Sequence, residues 1–328
     1  MKKVLKITGI VVGVIILGAV AMVMYVMAAF PKVAPAAAIT VEATPERIAR
    51  GKYLAHHVAG CIDCHSVRDW SKFAGPITPG TEGQGGDKFD EELAGMPGTI
   101  YAQNITPTYL SRYSDGELYR LITTGVTYDG RAMFPMMPYL AYGKMDPEDV
   151  RSIIAYIRTL APKEGQYPAA DLNFPMNIIV NTIPKEATPM SRPDPADTLK
   201  YGEYMFTIAG CSDCHTPMEK GTPIPGKHLA GGFEFRSPAT GDIVRSANIT
   251  QDHETGIGLW TEEVFVKRFI TYRDSIWTNT SVKAGEFNTA MPWLLYAGME
   301  EGDLRAIYRF LKTVPPVSNK VEKFTARQ

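Results

Sequence analysis

The sequence predicts an all-α protein, with two tandem helical domains behind an N-terminal membrane-spanning helix. Three observations carry that expectation. The second half of the chain echoes the first in the same order. The chain opens on a basic flank followed by a long uncharged apolar run. Helix-start signals recur at matching places in both halves, whereas strand signals are sparse.

The chain has 328 residues, 45% apolar and 21% charged, which is ordinary globular composition with room for one large or two medium domains. The N-terminus stands apart. Residues 1–6 carry Lys2, Lys3 and Lys6, and residues 7–30 contain no charge. At about 1.5 Å of rise per residue those residues make roughly 36 Å of helix, enough to cross a bilayer with some tilt. A cleavable signal has an apolar stretch of only about 7–15 residues, so the length favours a retained anchor. PAAA at 35–38 offers small residues where a cut is conceivable. The lysines hold residues 1–6 in the cytoplasm, which puts everything after residue 30 on the other side. Without those lysines the remainder holds 31 basic and 35 acidic residues, formally −4, and nothing in it points to nucleic acid.

The repeat is explicit. GKYLAHHVAGCIDCHS (51–66) resembles GEYMFTIAGCSDCHT (202–216), which is one residue shorter. AQNIT (102–106) matches SANIT (246–250) at Asn-Ile-Thr, and MPYLAYGKMDPEDVRSIIAYIRTL (137–160) aligns without a gap on MPWLLYAGMEEGDLRAIYRFLKTV (291–314). Two copies of a domain-sized unit read as tandem domains rather than a solenoid. The expected divisions are a linker at 31–44, domains at 45–161 and 196–316, a proline-rich strap at 162–195 and a tail at 317–328. Within the strap, the apolar FPMNIIV (174–180) is expected to pack against a domain.

Local signals place the helices. Residues 46–57 lead into the first cysteine pair. Ser114-Asp-Gly-Glu117 is a capping-box pattern for a helix to about Thr124. Asp146 at the N-cap with Pro147 at N1 starts another, along which Val150, Ile153, Ile154 and Ile157 recur at helical spacing. Leu304, Ile307, Tyr308 and Leu311 repeat that spacing in the second half.

All four cysteines lie in two Cys-x-x-Cys-His stretches, Cys61-Cys64-His65 and Cys211-Cys214-His215. This is the attachment pattern of c-type haem: two cysteines form thioethers to the vinyl groups, and the histidine ligates the iron. Disulfides suit an exported protein but leave the adjacent histidine without a role in both copies. A zinc site made from all four cysteines also strands both histidines. A thioredoxin-like pair needs a βαβ context that is missing. The expectation is two covalently bound c-type haems with His65 and His215 as proximal ligands.

The sixth position is open to His, Met or nothing. His56, His57, His228 and His253 have no partner at the matching repeat position, and they read as surface residues. Met137 and Met291 do match, each followed by Pro and an aromatic residue in a proline-rich loop, and they are the favoured distal ligands. Met145 and Met299 also match, but each sits just before the last helix, where a hydrophobic staple suffices. Met133 and Met136 compete locally for the first site. His/Met ligation fills both axial positions, so the iron is set to pass an electron rather than bind a substrate.

On the runs SANITQDHETGIGLWTEEVF (246–265), AMPWLLYAGMEEGDLRAIYRFL (290–311), DGRAMFPMMPY (129–139) and FPMNIIV, the chain resembles the cytochrome c subunits of membrane-bound bacterial alcohol and aldehyde dehydrogenases and the related class I-type cytochromes c. The resemblance covers most of residues 45–315. It implies class I-type cytochrome c domains on the outer face of the inner membrane, facing the periplasm. They would take electrons from a dehydrogenase or quinol-oxidising complex and pass them to quinone, a terminal oxidase or a soluble cytochrome. It implies distal ligation by Met137 and Met291, and haem-propionate contacts from Asn248 and Trp260, with Asn104 matching Asn248. The chain departs from those subunits, which usually carry three haems and usually attach differently. Its first half also lacks the ETGIGLW segment and has GPITPGTEGQGGDKFD (75–90) instead, readable as a docking feature or as an exposed insertion. The competing function is a dihaem peroxidase, which needs one open haem with an acid–base group above it. The carrier reading makes the chain an electron-transfer protein and not itself an enzyme.

Overall fold

The computed structural model describes residues 1–219 and 221–327, without the side chains at 93 and 94. Gln328, the end of the expected tail, lies outside the described residues. The N-terminal apolar run forms one helix, α1 (Lys2–Ala29), with no buried residue.

Each repeat is built on a pair of crossed helices. In the first, α2 (Pro45–Tyr53) is capped by Thr44, whose hydroxyl accepts from the Arg47 amide, and α3 is the single turn Cys61–Cys64. Further along are α4 (Asp115–Thr124), α5 (Tyr139–Tyr142) and α6 (Pro147–Ile157). The capping box of α4 is complete, with Ser114 and Glu117 each bonding the other's backbone amide. Asp146 caps α6 with Pro147 at its start, as the sequence predicts. α7 (Met176–Ile179) is the apolar turn of the strap. The second repeat supplies α8 (Thr198–Ile208), α9 (Cys211–His215), α10 (Glu262–Ile270), α11 (Trp293–Tyr296) and α12 (Glu301–Leu311).

α2 packs on α6, and α8 packs on α12. Both crossings need glycine. A Cβ on Gly51 would sit 1.8 Å from the Ser152 carbonyl oxygen, and one on Gly202 would sit 2.0 Å from that of Ala306. This explains the shared Gly-x-Tyr of the two repeats. The apolar stripes of α6 and α12 read from the sequence line a single core, which also takes in Met145 and Met299, each 1% exposed.

The one-residue difference between the repeats has a local solution. In the first, Leu54–Val58 forms a π turn closed by the Ala59 amide on the Leu54 carbonyl. In the second, the equivalent Ala209 amide bonds Met205 in ordinary helical register. A π turn absorbs one inserted residue without shifting the downstream chain. Accordingly Tyr142 donates to the Ala59 carbonyl just as Tyr296 donates to that of Ala209.

The fold is not purely helical. β1 (Lys88–Phe89), β2 (Gly98–Tyr101) and β3 (Asp171–Leu172) form an antiparallel sheet, and β4 (Glu234–Arg236), β5 (Ile243–Arg245) and β6 (Phe324–Thr325) form its counterpart. Strands of two to four residues are too short to leave an alternating pattern in the sequence. The outer strands β3 and β6 come from the strap and the tail, which therefore finish their domains as well as link or trail them. The linker is also laid down. Val41 donates to Asp115, Ala34 to Glu186 of the strap, and Gly116 lies directly under the Ala37 carbonyl.

The repeats pair through reciprocal hydrogen bonds. Tyr53 donates to Asp303 across the interface (2.5 Å) and accepts from the Glu300 amide. Tyr204 donates to Asp149 (2.6 Å) and accepts from the Asp146 amide. A second contact has no counterpart. Residues 70–74 insert into the second repeat, where Phe73 stacks on Tyr272 and meets Trp277. There its amide bonds the Thr280 carbonyl, and Asn288 accepts from the Ala74 amide.

Candidate haem crevices

Each Cys-x-x-Cys pair occupies one helical turn, so its sulfurs share a face. The turn starts from a left-handed glycine, Gly60 (φ 68°) or Gly210 (φ 67°), which reverses the chain sharply out of the preceding helix. In both copies the first cysteine is half-buried and the second exposed. Surrounding protein nevertheless desolvates the thiols, pushing Cys61, Cys211 and Cys214 up to about 12, with Cys64 also raised. Each pair is thus crowded by protein yet reachable from solvent through its second cysteine.

No cysteine is in a disulfide, and among the described residues no three His, Cys, Asp or Glu groups converge to hold a metal ion.

The histidines are aimed by the backbone. His65 Nδ1 lies 2.6 Å from the Gln103 carbonyl oxygen, and His215 Nδ1 lies 2.7 Å from that of Ala247. With Nδ1 engaged as donor, Nε2 is left with its lone pair, the arrangement usual for a metal-ligating imidazole. Burial pushes both imidazoles below their ordinary value, against the carbonyl bond that raises them. The carbonyl of His65 in turn accepts from Gly85, and that of His215 from Gly231, each at 2.8 Å. Both glycines have positive φ, and a Cβ on either would fall within 2.6 Å of the adjacent backbone. Gly85 lies in the 75–90 stretch. Gly85 thus ties part of that stretch to the first histidine, and Gly-Gly-Phe (231–233) is its counterpart.

Asn104 and Asn248 explain the repeated Asn-Ile-Thr. Asn104 accepts through Oδ1 from the amide and hydroxyl of Thr106 and donates through Nδ2 to the carbonyls of Lys163 and Gly165. Asn248 accepts likewise from Thr250 and donates to Val317 and Thr255. These buried amides bond within the protein. They clamp the turn whose preceding carbonyl orients the histidine. Trp260 packs half-buried against the core, and its carbonyl accepts from Tyr308.

Met137 and Met291 are both half-exposed, each followed by a one-turn helix whose first amide bonds the methionine carbonyl (2.7 and 2.8 Å). Met133 and Met136 are half-exposed as well, whereas Met145 and Met299 are sealed in the core. Tyr142 and Tyr296 tie the Met-Pro-aromatic loops to the residue ahead of each Gly-Cys. That tyrosine is visible in the sequence as a shared position of the Met-Pro block, but its target is not.

His228 and His253 are exposed, as the sequence predicts, but His56 and His57 are not. His56 lies 2.5 Å from the Tyr156 hydroxyl, and His57 Nδ1 lies 3.1 Å from the Leu295 carbonyl of the other repeat. Burial, with the neighbouring His57 and Lys52 adding to it, pushes His56 down to about 4. The π turn rotates the pair inward to the interface. The crevices also approach each other there. Burial raises the phenols of Tyr142 and Tyr296, and carboxyl groups of the opposite motif, Asp213 for Tyr142 and Asp63 for Tyr296, add to it.

Paired cysteines on one turn beside a backbone-clamped histidine, present twice, are the arrangement that c-type haem attachment calls for. The comparisons with known proteins agree. The chain is 28% identical over 310 residues to the cytochrome c subunit of a quinone-dependent alcohol dehydrogenase from Gluconacetobacter polyoxogenes, covering 88% of this chain and 60% of that one. It is 28% identical over 294 residues to the gluconate 2-dehydrogenase cytochrome c subunit of Pantoea cypripedii, with 83% and 60% covered. A diheme cytochrome c-type protein of Cereibacter sphaeroides is 28% identical over 183 residues, with 53% and 59% covered. The chain thus spans about 60% of the length of these curated relatives. No model of a known protein family matches it. The chain resembles the cytochrome c subunits of dehydrogenases, and its relatives imply covalently bound haem.

Proposed function

We propose that this chain is a membrane-anchored dihaem cytochrome c, carrying single electrons from a dehydrogenase or quinol-oxidising partner to a downstream acceptor on the periplasmic side of the inner membrane. The observation that carries the reading is the duplicated clamp: in each repeat a backbone carbonyl holds Nδ1 of the histidine after Cys-x-x-Cys and leaves Nε2 directed to a ligand.

Bound there, haem supplies one-electron chemistry at an iron whose potential His/Met ligation raises. The chain's own part is to hold that site still. Cys61 and Cys64, or Cys211 and Cys214, are the thioether donors. Gln103 and Ala247 orient the proximal imidazoles, and Asn104 and Asn248 fix those carbonyls. Met137 and Met291 stand in loops secured by Tyr142 and Tyr296, ready to close the opposite face. With Met137 or Met291 ligating, each iron would have no open position for peroxide, and the comparisons lend the peroxidase alternative no support.

The test is to produce the full chain in a host that matures c-type haems, count haem by the pyridine haemochrome method, and record reduced spectra with and without carbon monoxide. Two haems per chain and no carbon monoxide shift are expected. Met137→Ala and Met291→Ala should each open one site to carbon monoxide. A carbon monoxide shift in the unsubstituted protein would count against the proposal.

A further inference from the structure

The strap carries a feature that electron transfer does not use. Its one-turn helix α7 and the 3-10 turn after it (Val180–Thr182) pack against α1. In the last two turns of α1 the half-covered residues are Val23, Val26 and Ala29, a single stripe at helical spacing. The covered part of the anchor is therefore within roughly 10 Å of its outer end, at 1.5 Å per residue. That end is marked as an interface by Tyr25 edge-on to Phe30 and by Lys32 over the Phe30 ring. Aromatic rings followed by a lysine are the usual furniture of the headgroup level.

At the same level the strap exposes apolar groups. Phe174 is 78% exposed and Ile179 43%, on either end of α7. Single exposed apolar residues are ordinary. These two differ because the turn they flank packs against α1, the one helix among the described residues long and apolar enough to cross a membrane, none of whose residues is fully buried. The strap is also not free to swing away. Glu186 accepts from the Ala34 amide just beyond the anchor, and β3 pairs the strap with β2. Thr188 and Met190 add backbone bonds to Gly143 and Lys144.

We propose that residues 174–180 sit in the outer lipid interface beside α1, with Phe174 and Ile179 in contact with lipid, so that the first domain is seated on the membrane instead of hanging from a tether. The partner is the acyl–headgroup boundary of the bilayer, and the packing of the strap's turns on the outer end of α1 selects it. A seated domain holds its crevice at one height and orientation above the bilayer. This rests on α1 being a retained anchor, and the test separates the two.

The full chain carrying Phe174→Cys, Ile179→Cys or Leu17→Cys is spin-labelled, reconstituted in phosphatidylcholine–phosphatidylglycerol vesicles, and probed for collisions with oxygen and with a water-soluble nickel chelate. The unsubstituted chain, treated alike, subtracts label on native cysteines. Labels at 174 and 179 are expected to show an oxygen-to-nickel ratio several-fold above that of the same proteins in lipid-free solution with denaturant, with the label at 17 higher still. A label at 17 deep in lipid while those at 174 and 179 meet nickel freely overturns the seat and leaves the anchor standing. A label at 17 that meets nickel freely overturns both. Using two strap positions guards against a single substitution disturbing the turn.

Discussion

The two repeats differ least around their Cys-x-x-Cys-His motifs and more where the paired helices of each repeat cross. The Gly-Cys turn, the histidine clamp, the glycine behind it and the tyrosine under the Met-Pro loop are present twice with near-identical geometry. The helix crossings are not. The residue before Gly51 is Arg50, which grips Asp149 with two bonds of 2.9 Å, while Arg192 of the strap adds a third. The residue before Gly202 is Tyr201, which gives Asp303 one bond of 2.9 Å. One buried aspartate is thus held by guanidinium groups and a phenol, the other by phenols alone. The motif and its clamp are alike in both copies, while the helix crossing behind them has diverged.

The strongest way to break the equivalence of the crevices is to remove one pair of cysteines. Cys61→Ser with Cys64→Ser should lower haem from two to one per chain by pyridine haemochrome, and Cys211→Ser with Cys214→Ser should do the same. A chain that keeps both haems in either case would show that the motif is not the attachment site.

The aspartates should part company next. Asp149→Ala strips the partner from two arginines and a tyrosine and is expected to cost about 3–5 kcal/mol, as for other broken buried ion pairs. Asp303→Ala leaves only phenols unpaired and should cost about 1–3 kcal/mol. Chemical unfolding of both variants measures the gap, and equal losses would erase the distinction. Burial pushes the Asp149 carboxyl up, but the hydrogen bond and charge of Arg50, the Tyr204 bond and the Arg192 charge outweigh it and hold the group below its usual value of 3.8. Its stabilisation is therefore complete above about 3.8 and is lost as the pH falls through the lowered native value. Acid titration of Asp149→Asn should lack that last loss.

The insertion at 70–74 is the next asymmetry. Phe73→Ala empties a site between Tyr272 and Trp277 and should cost about 3 kcal/mol. A melting temperature unchanged by this substitution would mean the plug contributes nothing to pairing. The smallest effect belongs to the π turn. His56 is held neutral in the fold, down to about 4 against 6.5 when free. The unfolded chain therefore binds the proton first, and stability should decline as pH falls from about 6.5 towards about 4. His56→Gln should flatten that limb of the curve, and an unchanged slope would place the titration elsewhere.

Much of the molecule is legible in its sequence, for local reasons. The cysteine motifs, the capping box at Ser114, the Asp146-Pro147 start and the charge-free N-terminal run each depend on residues a few places apart, where chemistry and spacing coincide. The roles of Asn104, His57 and Gly85 are not legible there. Asn104 works through a carbonyl at Lys163, His57 meets Leu295, and Gly85 is required by a backbone that reaches it from His65. No short window of sequence contains those pairs.

The sequence by itself determined the cofactor chemistry, the duplication, the helix ends and the apolar span, because each is written in contiguous residues with their own covalent or periodic logic. Tertiary structure alone decided the short sheets completed by strap and tail, the reciprocal tyrosine–aspartate pairing, the inward turn of His56 and His57, and the approach of the two crevices. Those depend on which surfaces meet once each half has folded. Tyr53 and Asp303 are 250 positions apart in the chain and 2.5 Å apart in the fold.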